Sequence, residues 1–192
     1  MEETSSCTLK SAELAITKAR IALTIRQPFM ATALLALPLS IVEAGLETAG
    51  TDGCRLLISA RFALSLTPAE LRGVLAHELL HAILQHPARR KTRTPWLWNI
   101  ACDHAVNKML LDFGFALPEG ALIAPRECDG MNAEAIYDFL MRQRMKPAQD
   151  NSAATPENAA VGRKNDAEKP GPLITSPDGQ WTLSTDHRPE AM

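Results

Sequence analysis

The chain has 192 residues, 46% of them hydrophobic and 22% charged, enough for one domain with a full apolar core and some surplus. Its formal net charge of -2 carries no global signature of a nucleic-acid or membrane partner. Cys7, Cys54, Cys102 and Cys128 are scattered without a C-x-x-C pair, which excludes a zinc ribbon or thioredoxin-like motif and reads as free thiols in a reducing compartment.

The start, "MEETSSCTLK", is acidic and polar, unlike a secretory leader. The most apolar stretch, Pro28 to Val42, is interrupted by Pro38 and is too short to span a bilayer. A cytoplasmic protein is expected.

Thr8 to Gln27 suits a helix whose apolar face gathers Leu14, Ala15, Ala19, Ile21, Ala22 and Ile25. A second helix is expected over Phe29 to Leu37, between two prolines. Gly50, Asp52 and Gly53 then mark a turn in a β-hairpin with arms near Ser40 to Glu47 and Cys54 to Ser59.

"LTPAELRGVLAHELLHAILQHP" follows with a marked helix start. Thr67 caps, Pro68 fits the first position, Glu70 completes a capping box, and Pro87 sets the end. Leucines fall on nearly every side, as in a central, buried helix. The basic loop Arg89, Arg90, Lys91, Arg93 complements the negative end of this helix and meets solvent. Trp96 to Gly114 forms another helix, and Met131 to Arg144 a last one capped by Asn132. From Lys146 apolar periodicity is lost, so residues 1–145 form the domain and 146–192, with a lone Trp181, a Pro- and polar-rich linker or disordered tail.

His77-Glu78-Leu79-Leu80-His81 carries the chemistry. Histidines at i and i+4 share one helix face and can reach one zinc ion, while the glutamate can take a proton from water. Chance alone gives such a pattern in roughly one chain per hundred of this length, so its setting in a buried helix matters. The bland alternative is two core histidines bonded to backbone or to Glu78.

A catalytic zinc takes a third protein ligand. His86 lies five residues past His81, on another side of an extended helix, and reads as a helix-end residue near solvent. Asn99, Asp103 and Asn107 form a polar stripe at i, i+4 and i+8 on the next helix. Asp103 is the preferred third ligand; Asn99 and Asn107 hold loops or support the ligands. A solvent-facing stripe is the alternative, and His104 is a rival ligand about 100° from Asp103. Tyr137 and His104 are candidate oxyanion helpers, although such residues more often belong to the core or to a helix surface.

"TAGTDG" (Thr48 to Gly53), "LRGVLAHELLHAILQHPARR" (Leu71 to Arg90), "PWLWNIACDHAVNKML" (Pro95 to Leu110), "LPEGAL" (Leu117 to Leu122) and "MNAEAIYDFL" (Met131 to Leu140) together resemble the metallopeptidase domain that often precedes a von Willebrand factor A-like domain in bacterial and phage proteins. The resemblance covers most of Lys18 to Met141. It implies a mostly helical α+β, zincin-like fold with a small sheet beside the H-E-x-x-H helix. It also implies His77, His81 and Asp103 as ligands of Zn2+, and Glu78 as the catalytic glutamate. The chain ends about where the second domain would begin, so that domain's function is expected either to be lacking or to come from a von Willebrand factor A-like partner on a separate chain.

The leading expectation is a zinc metallopeptidase acting on a peptide or protein, with Glu78 as general base and the Cys54 to Ser59 strand as an edge for the substrate. The alternatives are a non-enzymatic zinc-binding interaction module and a protease acting on DNA-bound proteins through the Arg89 to Arg93 loop; the missing second basic cluster argues against nucleic acid.

Overall fold

A computed structural model describes residues 2–145; the tail at 146–192, with Trp181, lies outside the described residues. The fold is α+β and mostly helical, with a small sheet. Helix α1 (Glu2–Arg26) runs into α2 (Pro28–Ala36), which Pro28 opens and an extended Leu37 closes before Pro38. Strands β1 (Leu39–Val42), β2 (Ala49–Thr51) and β3 (Leu56–Ser59) lead directly into a short helix, α3 (Ala60–Ser65).

The sheet departs from the expected hairpin. Its order is β1-β3-β2, with β1 parallel and β2 antiparallel to β3. The expected first arm, Ser40 to Glu47, holds only β1 and a loop that turns at Gly45 (φ 84°); the strand that forms a hairpin with β3 is β2, which lies beyond that arm and includes Gly50 of the expected turn. Strand β3 is therefore central and has no free edge for a substrate; the edge expected at Cys54 to Ser59 is not there. The turn before β3 is built as its sequence suggests. Asp52 Oδ1 accepts from the Cys54 and Arg55 amides, and the Thr51 hydroxyl accepts from the Gly53 amide (φ 92°) and donates to the Arg55 carbonyl.

Helix α4 (Pro68–Ile83) starts on a complete capping box: Thr67 accepts from the Glu70 amide, and the Glu70 carboxylate accepts from the Thr67 amide. It is buried continuously from Gly73 to Ala82. Gly73 permits a crossing that no other residue would, because a Cβ there would fall 2.0 Å from the Ala116 carbonyl oxygen. The helix stops at Ile83, short of Pro87. Gln85 takes a left-handed conformation (φ 53°) and a separate turn, α5 (His86–Arg89), folds back. Helices α6 (Pro95–Asp112) and α7 (Ala133–Met145) pack together, and Asn132 caps α7 by accepting from the Ala135 amide.

Two apolar clusters result. One joins α1, α2, the sheet, α3 and α4 to Val106 and Leu110 of α6. The other joins Leu97, Trp98, Ala101 and Cys102 of α6 to Cys128 and to Ala133, Ile136 and Tyr137 of α7. Helix α6 thus belongs to both, and Asp103 falls between its two apolar stretches. The face of α1 differs from expectation: Ala12, Ile16, Ala19 and Leu23 are buried, while Leu14, Ile21 and Ile25 are exposed. All four cysteines are free, as expected. Among the described residues no helix is long and apolar enough to cross a membrane.

Candidate metal centre

The i, i+4 spacing on α4 stacks the His77 and His81 rings 4.5 Å apart, and α6 brings Asp103 to them. His77 Nε2 and His81 Nε2 are 3.0 Å apart. Asp103 Oδ1 lies 3.5 Å from the first and 3.2 Å from the second. All three side chains are buried. Asp103 is thus not on a solvent-facing stripe, and neither is Asn107; Asn99 is half-buried.

The triangle fits a metal ion. Tetrahedral zinc with bonds of about 2.0–2.1 Å sets its ligand atoms about 3.3 Å apart, and the three observed separations lie on either side of that value. The hydrogen bonding agrees. Asp103 Oδ1 is buried near both rings yet aligned for a hydrogen bond with neither, and Glu78 Oε2 is a second buried oxygen without a partner. Buried carboxylate oxygens left in this way are costly unless a cation meets them. His77, His81 and Asp103 form the one group among the described residues with the proximity to hold a metal; Glu78 is next to it in sequence but outside it.

The tautomer of His77 follows from its surroundings. Asn107 Nδ2 donates to the Leu122 carbonyl at 2.9 Å, which turns Asn107 Oδ1 toward His77 Nδ1 at 2.8 Å. An amide oxygen can only accept, so His77 carries its proton on Nδ1 and leaves the Nε2 lone pair facing His81 and Asp103. Asn107 therefore fills both of its expected roles, holding a loop and backing a histidine.

Titration behaviour reflects dense packing of charge-bearing groups. Burial opposes charge on His77, but Asp103 and Glu78 raise its pKa overall. Burial and the neighbouring His77 lower that of His81 against the pull of Asp103. Burial alone would raise the Asp103 carboxyl, yet the two imidazoles hold it below the usual range. Glu78 is pushed up to about 7, first by burial and then by the Asp103 charge, with His77 opposing.

His86 is the residue that sequence reasoning misplaced. It is 3% exposed, and its Nδ1 lies 3.3 Å from His81 Nδ1. The left-handed Gln85 breaks the helical wheel on which its position was extrapolated, and no glycine or asparagine signals that break. Burial, with the His81 and Arg89 charges, lowers its pKa to about 3, so the ring is neutral. His104 stands apart from the cluster: burial lowers its pKa, and its ring hydrogen-bonds the Leu122 carbonyl. Tyr137 uses its hydroxyl to accept from the Thr94 amide and packs against Trp98, a structural role.

The sequence matches, over residues 11–182, a family described as a putative metallopeptidase domain. The chain belongs to that family. The match takes in both histidines, Glu78, Asp103, α1 from residue 11 onward and every later element of the fold through α7, and runs past the described residues. No curated protein and no solved structure matches the chain. Membership of the family and a buried His-His-Asp cluster together point to a metal ion and to peptide or protein substrates.

Proposed function

We propose that the chain is a zinc-dependent metallopeptidase in which His77, His81 and Asp103 hold the metal and Glu78 is the general base. The observation that carries this reading is the buried triangle of Nε2, Nε2 and Oδ1 atoms with the tetrahedral spacing of a zinc ligand set. Three protein ligands leave a fourth position open, which distinguishes a catalytic from a closed structural site.

When bound, the metal supplies a Lewis acid that acidifies water and polarises a peptide carbonyl. The chain's residues supply the rest. His77 and His81 present lone pairs from rings braced at Nδ1 by Asn107 and His86. Asp103 brings the negative charge that favours a divalent cation. Glu78 Oε2 takes one proton from water as the water oxygen bonds to the carbonyl carbon. It returns that proton to the amide nitrogen as the C–N bond breaks.

A second reading draws on the burial of the whole site: His77, Glu78, His81 and Asp103 are each at most 3% exposed. That closure suits a non-enzymatic module in which zinc stabilises the fold. The DNA-directed alternative loses two of the four cations of its basic loop, because Arg89 is held by Glu134 and the Leu84 carbonyl, and Arg93 by the Arg89 carbonyl and the Trp98 ring. A separate von Willebrand factor A-like partner rests on the sequence resemblance alone.

The test is elemental analysis and hydrolysis of an unfolded protein such as casein, with wild type, Asp103→Ala and Glu78→Gln. We expect about one zinc per chain in wild type and Glu78→Gln, little in Asp103→Ala, and hydrolysis in wild type only. Zinc in wild type without any hydrolysis of casein or of a mixed peptide pool favours the module. Zinc retained fully in Asp103→Ala removes Asp103 from the ligand set.

A further inference from the structure

We infer that His86 is a positioning residue for the metal centre: it accepts the Nδ1 proton of His81 and so fixes that ring with Nε2 toward Asp103 and His77. The inference rests on the metal-site reading above and adds a residue outside the H-E-x-x-H motif and the Asp103 stripe.

Two imidazole nitrogens 3.3 Å apart can bond only if one carries a proton and the other a lone pair. His81 Nε2 points into the ligand triangle. If that lone pair goes to a metal, the His81 proton is on Nδ1. His86 Nδ1 must then be the acceptor, with the His86 proton on Nε2. A ligating histidine held through its second nitrogen has a fixed orientation and a more basic donor atom. His77 has the same arrangement with an amide, since Asn107 Oδ1 accepts from its Nδ1.

The structure also explains why His86 stays in place. It is not carried by α4. The left-handed Gln85 turns the chain back, and Trp98 Nε1 of α6 donates to the His86 carbonyl at 2.9 Å. The His86 ring stands edge-on to both His81 (83°) and Trp98 (82°), so it is gripped between a ligand and the second apolar cluster.

The experiment measures zinc dissociation constants by competition with a chromophoric chelator for wild type, His86→Phe and His86→Asn, beside the thermal unfolding of each metal-free protein. His86→Phe keeps an aromatic ring but removes the acceptor; His86→Asn loses the ring but can offer an amide oxygen near the position of Nδ1. We expect binding about 10- to 100-fold weaker in His86→Phe and within about 3-fold of wild type in His86→Asn. A purely structural His86 predicts instead that affinity follows the loss of thermal stability in both variants, and that result overturns the proposal.

If His86→Phe does not fold, ring 15N shifts of zinc-loaded wild type decide: a proton on His81 Nδ1 and a bare His86 Nδ1 are expected, and a proton on His86 Nδ1 overturns it. Equal zinc affinity in wild type and His86→Phe defeats the role of His86 while leaving the metal site intact. Absence of zinc binding in wild type defeats the metal reading itself, and this inference with it.

Discussion

At the scale of single residues, the site is organised by what stands behind its ligands. Asn107 is one side chain with two obligations, accepting from His77 Nδ1 and donating to the Leu122 carbonyl. Truncating it leaves a buried ring N–H without its acceptor and withdraws a tie from the 118–125 loop. Asn107→Ala should therefore cost the metal-free protein about 1–3 kcal/mol, read as a lower midpoint in urea unfolding at unchanged slope. A change below about 0.5 kcal/mol would show that water replaces the amide and that the bond does not hold His77. The clustering of His77, His81 and Asp103 was legible in the sequence, because helical spacing puts the two histidines on one face and Asp103 lies in a polar stripe of an otherwise apolar helix. His86 was not, because its position depends on one left-handed residue, Gln85, whose conformation has no local signal.

At the scale of elements, starts were legible and long-range pairings were not. Thr67, Pro68 and Glu70 announce α4 through contacts within four residues, and Asn132 does the same for α7. The sheet was misread because a parallel β1–β3 pairing depends on chain that is not adjacent, whereas the β2–β3 turn is local and was seen. The face of α1 was misread for another reason. Hydrophobicity favours Leu14, Ile21 and Ile25, but the helix packs against α2 and α3 through Ala12 and Ala19 with Ile16 and Leu23, where small residues allow close approach.

Arg89 ties three elements together, donating to the Leu84 carbonyl at the end of α4 and pairing with Glu134 of α7 through two hydrogen bonds at 3.0 and 2.6 Å. Burial alone would raise the Glu134 pKa, but Arg89 brings it below 4.5 overall. A carboxylate with a depressed folded-state pKa contributes stability that is fully present above its unfolded value and is lost as pH falls through the folded one. Both side chains are partly exposed, so the contribution at neutral pH is about 0–1 kcal/mol. Glu134→Gln should be the less stable protein at pH 7, and its deficit should shrink as pH drops below 4.5. A deficit that persists unchanged to pH 3 would mean that packing, not the ion pair, sets it.

At the scale of the whole molecule, the candidate metal centre is also a joint. His77 and His81 belong to the central helix of one apolar cluster, and Asp103 lies on α6 where that cluster gives way to the second. An ion held by all three would clamp α4 to α6 across polar atoms that apolar packing cannot satisfy. Binding to the folded state alone stabilises by RT ln(1 + [Zn]/Kd), about 2.7 kcal/mol when free zinc is 100 times Kd. Wild type stripped with a chelator should therefore melt at a lower temperature, recover on adding zinc, and show a midpoint that climbs with the logarithm of free zinc. Asp103→Ala should lose most of that zinc-dependent rise, because one side of the clamp is gone. If its midpoint rises with zinc as in wild type, the ion is bound elsewhere and the triangle of His77, His81 and Asp103 is a polar seam that closes without an ion.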